Sequence, residues 1–327
     1  MSNNAVIGIV MLFGCCAGLS AASSELDEAR TSGADGKVTF HVVNSRGEDV
    51  VDASVKAGFY NPRKGDDVCI GQTDSNGLFA ATGNSVDDMN YSIIKDGFYI
   101  TTGRYVFYRR DEISVLNGRW QPWNPTNVVV LKERRNPIPM YAKRVDVLLP
   151  ERDKPIGFDL ELGDWVKPHG IGSKSDLIIM YKGSYGDIQV FSKELRLGCG
   201  NEQSGLQVLT LDSSSDLQSV YSAPEEGYAR ELVWERERTK FEIKKSKELD
   251  KDEYVVFRTR VVTNEKGELV GAHYGKIYGP IRYGRMGESH RLMFNYYFNP
   301  VENDRNIEFD PIRNLFPDTP FDRVTMP

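Results

Sequence analysis

The chain has 327 residues, with 41 Lys and Arg against 47 Asp and Glu and a formal net charge of −6. Hydrophobic residues make up 40% and charged residues 27%, which excludes wholesale disorder and leaves enough apolar mass for two domains, each with its own core. The acidic balance argues against nucleic acid as a partner, since proteins that hold a phosphate backbone present a basic face.

In chain order, the first predicted element is an export signal over residues 1–22. Residues 5–13 form an uninterrupted apolar run, no charged residue precedes Glu25, and the small Ser20 and Ala22 suit cleavage after Ala22. The run is too short to span a membrane comfortably and fits a signal-peptide core, although no Lys or Arg precedes it. A lipid anchor is the competing reading: Leu12-Phe13-Gly14-Cys15 resembles a bacterial lipobox with Cys15 as the acylated residue, Phe13 being bulkier than such sites usually accept. Either route places the chain outside the cytoplasm, secreted or periplasmic, and the second ties it to a bacterial outer membrane through Cys15. Residues 23–35 are small and polar and read as a flexible leader.

From Gly36 the pattern changes to short alternating runs. Strands are expected near residues 37–43, 50–59, 67–72, 78–82, 90–95, 104–109 and 126–132, separated by Gly, Asn and Asp turns. No helical stripe interrupts them, so seven short strands at this spacing predict a sandwich rather than a parallel α/β sheet. The turns are the best-defined features. In Asn44-Ser45-Arg46-Gly47-Glu48-Asp49 and Thr73-Asp74-Ser75-Asn76-Gly77-Leu78-Phe79, Asn and Asp cap their own backbone and Gly accepts positive φ.

Those two turns, together with Gly36-Lys37-Val38, Asp52-Ala53-Ser54-Val55 and Ile94-Lys95-Asp96-Gly97-Phe98-Tyr99, follow the order found in carboxypeptidase regulatory-like domains. The region resembles that family, part of the wider transthyretin-like, prealbumin-type β-sandwiches, over about residues 36–132. The resemblance implies an Ig/transthyretin-like sandwich of seven strands and a non-catalytic appendage on a secreted or envelope protein. No attached peptidase accompanies it, because no HxxE with a distant His offers a zinc triad.

Pro137 and Pro139 lack N–H donors and stop ladder pairing, so residues 36–139 are taken as the first domain and 140–327 as the second. The second is also strand-rich, at residues 176–181, 187–191, 205–211, 228–235, 254–263 and 292–298, with a hairpin turn within 261–270. This predicts an all-β chain whose second domain is an antiparallel sandwich or jelly roll. After Asp310 the sequence is Pro-rich and reads as an extended strap.

Candidate chemistry is sparse. His41, His169, His273 and His290 lie far apart in sequence, no GxSxG, HExxH or phosphate loop is present, and no CxxC or HxxxH spacing offers zinc; no cofactor is expected. Cys69 and Cys199 read as isolated thiols, the alternative being a disulfide that joins the domains. Glu302, Asp304, Asn306, Glu308 and Asp310 recur at every second position, which in a strand puts five oxygen-bearing groups on one face, suited either to calcium or to solvent. Trp120 and Trp123 stand three apart in a predicted loop and are the binding candidates, by stacking on sugar or anchoring a protein; the other reading has them fill the domain seam. The set Tyr274, Tyr278, Tyr283, Phe294, Tyr296, Tyr297 and Phe298 reads as core. Arg282, Arg285 and Arg291 interleave with it, a pattern suited to acidic sugars or nucleic acid, but Glu288 and the acidic tail suggest balanced surface charge. The mixed run 235–248 calls for no function. The resulting expectation is a non-catalytic envelope or secreted protein with a polysaccharide or envelope-protein partner. Its alternative is a glycan-active enzyme using two carboxylates of the second domain.

Overall fold

Nearly all regular structure in the computed structural model is β, in several antiparallel sheets. It describes residues 16–108, 114–187, 190–211, 214–245, 249, 252–317 and 322–327. The predicted signal core and Cys15 therefore lie outside the described residues. Two units are present: Met1–Arg134 with Ser214–Asp216, and Arg135–Ser213 with Leu217–Pro327. The division falls at Arg134–Arg135, a few residues before the expected position. The short return segment Ser214–Asp216 bridges Thr101 through Ser215 and has no signature in the sequence.

The first unit opens with helix α1 (Cys16–Ser32), which takes in residues 16–22 of the expected export signal and most of the expected flexible leader at 23–35. Two features favour helix. Leu26 and Ala29, three apart and so on one face, pack on the core. Gly33 at φ 85 ends the helix, its N–H bonding Ala29 O at 2.8 Å.

Nine strands follow: β1 (Ala34–Asn44), β2 (Ser54–Phe59), β3 (Asp67–Gln72), β4 (Leu78–Ser85), β5 (Asp88–Ile94), β6 (Thr101–Val106), β7 (Val115–Leu116), β8 (Arg119–Trp120) and β9 (Thr126–Leu131). β1–β6 and β9 are the seven expected. In one sheet β1 pairs antiparallel with β4 and parallel with β8 and β9; the other sheet runs β3-β2-β5-β6. Phe40, Val42, Ala81 and Leu131 of the first meet Val55, Phe59, Met89 and Ile93 of the second in one apolar cluster. β2 starts at Ser54 rather than 50 because Asp52 takes φ 55 and Val50 N–H turns back to Val42 O.

The two turns behave as their residues dictate. Asn44 Oδ1 accepts the N–H groups of Arg46 and Glu48, at 2.9 and 3.0 Å. Asp74 Oδ1 accepts those of Asn76 and Leu78, both at 2.9 Å. Gly77 is required twice over: φ is 67°, and a Cβ would lie 2.6 Å from Val42 O.

The second unit holds β10 (Tyr141–Leu148), β11 (Ile156–Asp159), β12 (Asp164–Trp165), β13 (Leu177–Asp187), β14 (Val190–Cys199), β15 (Gly205–Thr210), β16 (Glu231–Arg238), β17 (Ile243–Lys245), β18 (Glu253–Thr263), β19 (Leu269–Met286) and β20 (Ser289–Phe298). They form two antiparallel sheets, β10-β20-β19-β18-β15 and β12-β11-β13-β14-β16-β17. Between them lies a core that includes Phe158, Leu177, Ile179, Leu195, Leu197, Val255, Phe257, Ile277 and Phe294. The five-stranded sheet is covered on its outer face as well, by Ile307 against Tyr254 and Val256, and by Phe309 and Val324 against Met140 and Tyr297. The Pro-rich tail makes a 3-10 turn at Pro311–Arg313 and then runs beside β10, with Leu315 N–H on Met140 O and Arg144 N–H on Asp322 O, both at 3.0 Å.

Candidate functional site

Strand alternation decides what the mouth of the second sandwich contains. Along β14 the side chains of Leu195 and Leu197 point into the core, so two and four residues earlier Lys193 and Phe191 take the same inward face. On β16, Arg236 follows Trp234 in the same way, and on β13 Tyr185 follows Tyr181. β19 adds Ile281, Tyr283 and Arg285 from the opposite sheet. Deep in the sandwich these inward positions are apolar, aliphatic and aromatic alike; at its open end cationic side chains join the aromatic ones.

Two adjoining clefts result. The larger, about 720 Å³, is lined by Tyr185, Phe191, Lys193, Tyr283, Gly284, Arg285 and Gly287. The smaller, about 260 Å³, shares Lys193 and Tyr283 and adds Trp234, Arg236 and Arg282 among others. Lys193 Nζ donates to Tyr283 O at 2.7 Å and lies 4.1 Å from that ring's centre. Arg236 sits 5.8 Å from the Phe191 ring and Arg285 5.6 Å from Tyr185, distances at which a cation is attracted to the aromatic face. No carboxylate lines either cleft among the described residues.

Behind the larger cleft lies a small polar cluster. Tyr181 and Tyr185 share a hydroxyl–hydroxyl hydrogen bond of 2.5 Å, and Gly183 makes room for it, since a Cβ there would lie 2.5 Å from Tyr181 Oη. The His290 ring stands 5.0 Å from that of Tyr181 and 5.8 Å from that of Tyr185. Burial, then the charges of Arg152 and Arg285, lower the His290 pKa, so the ring is neutral at pH 7. Burial, then the bond to Tyr185, raise the Tyr181 hydroxyl far above its ordinary range. A phenol held protonated in this way positions a ligand or a neighbour but is a poor base.

The carboxylates that do converge in this unit converge on Arg260. Its guanidinium makes a two-pronged contact with Asp176, at 2.7 and 2.8 Å, and a third bond to Glu161 at 2.8 Å, while lying 4.6 Å from the Phe298 ring. Arg260 adopts φ 52 at a bulge between β18 and β19. Burial pushes the Asp159 carboxyl up, but the backbone N–H groups of Ser173, Lys174, Leu162 and Glu161 together outweigh it and hold the pKa below its usual value. These acids are occupied by fixed internal donors. They do not face each other across an open cleft as glycoside hydrolysis requires.

The remaining sequence candidates are dispersed. Trp120 is 1% exposed: its indole N–H donates to Ser85 O at 2.9 Å and its ring stacks on Phe107. It fills the core of the first unit and offers no stacking face to a ligand. Trp123 is 38% exposed, under the Arg119 guanidinium at 4.9 Å. His41 meets Asp49 at 2.8 Å and His169 meets Glu151 at 3.4 Å, both at the surface. His273 bonds Pro300 O at 3.1 Å and stacks on Phe298. Cys69 and Cys199 are free thiols, and burial, then the charge of Asp176, push Cys199 up to about 12.

The acidic series near the C-terminus is not one face of a strand. Asp304 accepts from Asn299 and Asn306 N–H, Asn306 Oδ1 accepts Glu308 N–H, and the buried Glu308 accepts the N–H groups of Arg135 and Asn136. Their oxygens satisfy the chain's own backbone, and no metal-ligand cluster occurs among the described residues. The sequence reading missed Lys193, Tyr185 and Arg236 and placed Tyr283 in the core. Their signal was the continuation of an inward-facing alternation past the last aliphatic residue.

No family model matches the chain, and neither does any curated protein. Among solved structures, a 3-chlorocatechol 1,2-dioxygenase from Rhodococcus opacus is 13% identical, covering 32% of this chain and 61% of its own, at a TM-score of 0.24. A streptococcal ancillary pilin is 10% identical over 87% of this chain and 63% of its own, at 0.21. The major pilin subunit of Bacillus cereus is 11% identical over 81% and 96%, at 0.22. The chain spans less than two thirds of the first two of these structures. Likenesses this weak carry no inference about fold or role.

Proposed function

We propose that the chain is an exported, non-catalytic binding protein that holds a polysaccharide in the open end of its second sandwich. The observation that carries this is the larger cleft. It has the volume of an ordinary small-ligand site, ~300–1,000 Å³, and its aromatic side chains, Tyr185, Phe191 and Tyr283, offer the flat apolar faces on which sugar rings stack. The protonated Tyr181 and the absence of a carboxylate pair among the described lining residues favour holding over cleavage. Under this reading the first unit is a carboxypeptidase regulatory-like appendage, supported by its capped turns and by the seven of its nine strands that match the expected ones, with Trp123 as a secondary contact at its surface. The apolar run at residues 5–13 and Cys15 support export.

The test is affinity electrophoresis and calorimetry of the full chain against a panel of neutral and acidic polysaccharides, with Tyr185→Ala beside the wild type. Binding to at least one glycan, weakened about tenfold by the loss of one stacking ring, corresponds to about 1.4 kcal/mol and is the expected result. A protein that binds no glycan in the panel, or a Tyr185→Ala variant that binds as well as wild type, contradicts the proposal.

A further inference from the structure

We infer that the free edge of the first unit, strand β3, joins a second copy of this chain by antiparallel β3–β3 pairing, extending the four-stranded sheet across both copies. The inference is independent of what the second unit binds. β3 is the outermost strand of the β3-β2-β5-β6 sheet, so every second residue turns its backbone N–H and C=O away from β2. The opposite edge of that sheet is covered: Thr101 bridges Ser215, and Thr102 N–H donates to Ser214 O at 3.2 Å. Among the described residues no segment other than β2 pairs with the β3 backbone. Edge strands are ordinarily shielded by lysine, proline or a bulge. Asp67-Val68-Cys69-Ile70-Gly71-Gln72 has none of these and runs along β2 in unbroken register. Its one charge, Asp67 at the first position, is turned back onto Asn84 N–H at 2.8 Å. Cys69 lies opposite the buried Ala57 and packs on the core, so Val68 and Ile70 point outward, where they are 53% and 66% exposed.

Strand period and charge together select the occupant. Two sheets joined edge to edge keep their inner faces continuous only if inward residues oppose inward residues. A two-fold pairing is therefore centred on a single residue, not between two. Centred on Ile70, it sets Asp66 against Asp74 of the second copy, two exposed acids that repel. Centred on Val68, it sets the Asp66 carboxylate against Ile70. Centred on Cys69, it does neither. Val68 then lies opposite the second copy's Ile70 on both sides of the axis, and the two Cys69 thiols face each other. In this register the exposed Arg63 and Lys64, just before the strand, reach the end where the second copy carries the exposed Asp74. Both ends of the pairing thus set cations beside an anion. Asp66 and Asp67 leave that match intact, because their carboxylates accept Asn61 N–H at 3.1 Å and Asn84 N–H at 2.8 Å. Any extended peptide would satisfy the backbone, but this self-complementary charge favours a second copy, and one patch paired with itself closes at a dimer.

The test is cross-linking of the full wild-type chain with a short bis-maleimide, with sedimentation velocity beside it, over a wide range of protein concentration. The expected product is a covalent dimer whose yield rises with concentration. Peptide mapping should find Cys69 joined to Cys69, and Cys69→Ser should abolish that link. Val68→Lys and Ile70→Lys should each weaken the dimer about tenfold while leaving the urea midpoint of the fold unchanged. In a Cys69→Ser background, a mixture of Val68→Cys and Ile70→Cys chains should link to each other more than either links to itself. An Ile70→Cys chain that links to itself as strongly as in the mixture overturns the register. A chain that stays monomeric at every concentration, a link mapped to other thiols alone, or a dimer that both lysine variants keep overturns the inference. Growth beyond the dimer that Val130→Lys abolishes also overturns it, and would assign the contact to the exposed Val128 and Val130 of β9. Peptide mapping of the wild-type product needs no variant, so the test holds even where a variant fails to fold.

Discussion

Two clusters in the second unit use the same ingredients and come out differently. At Arg260, a guanidinium, an aromatic ring and carboxylates form a closed set, with Asp176 and Glu161 within 2.8 Å and Phe298 against the cation. At the sandwich mouth, Lys193, Arg236 and Arg285 meet aromatic rings in clefts that no carboxylate lines among the described residues. A closed set satisfies itself and stabilises the fold at a strained residue, φ 52 at Arg260. The mouth set instead lines two clefts that a ligand can enter. The difference between the two clusters is whether the polar groups close on one another or line a cleft.

The largest expected effect tests the closed cluster. Asp176→Asn leaves Arg260 without its main counter-charge in the interior and should cost about 3–5 kcal/mol, read as a fall in urea midpoint with the slope preserved. Lys193→Gln at the mouth should stay within about 1 kcal/mol of wild type in the same assay. Equal losses would erase the distinction between the clusters.

A comparable pair exists in the first unit. Trp120→Ala empties a core position and should cost about 3–5 kcal/mol, whereas Trp123→Ala should remain within about 0.5 kcal/mol and show itself, if anywhere, in ligand binding. Thermal unfolding of the two variants side by side separates them. A Trp120→Ala protein as stable as wild type would contradict the placement of that ring.

A smaller effect is acid sensitivity. The Arg260 guanidinium, against some desolvation, holds Glu161 below its ordinary value, and Asp159 is held low by four backbone donors that outweigh its burial. Groups whose folded pKa is depressed contribute stability that is present above their unfolded values, near 4, and lost as pH falls through the folded ones. Urea midpoints should therefore be flat with respect to these groups from pH 7 to 5 and fall below about pH 4. Glu161→Gln should show a shallower acid limb than wild type; an identical limb would mean Glu161 is not coupled to the fold. The least effect is at His290, whose lowered pKa makes the unfolded chain the better proton binder below about pH 6.5. Stability should drift down as pH falls from there, and His290→Phe should remove that drift.

What was legible in the sequence was what local chemistry dictates. Asn44 and Asn264 each cap two N–H groups two and four residues on, with Gly47 and Gly267 at positive φ. Both turns can be read directly from Asn-x-x-Gly-Glu. The strands of the first unit were legible for the same reason, because turn residues mark their ends. Less visible were features set by pairing across long distances. Within residues 187–191, expected as a strand of their own, Asp187 ends β13 and Val190 and Phe191 begin β14, the antiparallel pair whose inward alternation positions Tyr185 and Lys193. Trp120 looked like half of an exposed pair, yet the alternation of β8 places it in the core and leaves Trp123 outside. The acidic series at residues 302–310 shows the limit of reading spacing alone: the Glu308 oxygens accept backbone N–H groups of residues 135 and 136, which no local pattern reveals.

The most direct test of the central claim is glycan binding by wild type and a Tyr185→Ala/Phe191→Ala double variant across one polysaccharide panel. If the mouth of the second sandwich holds the glycan, the double variant loses more than the roughly tenfold expected for one ring. A double variant that keeps the affinity of wild type would place the ligand elsewhere on the molecule.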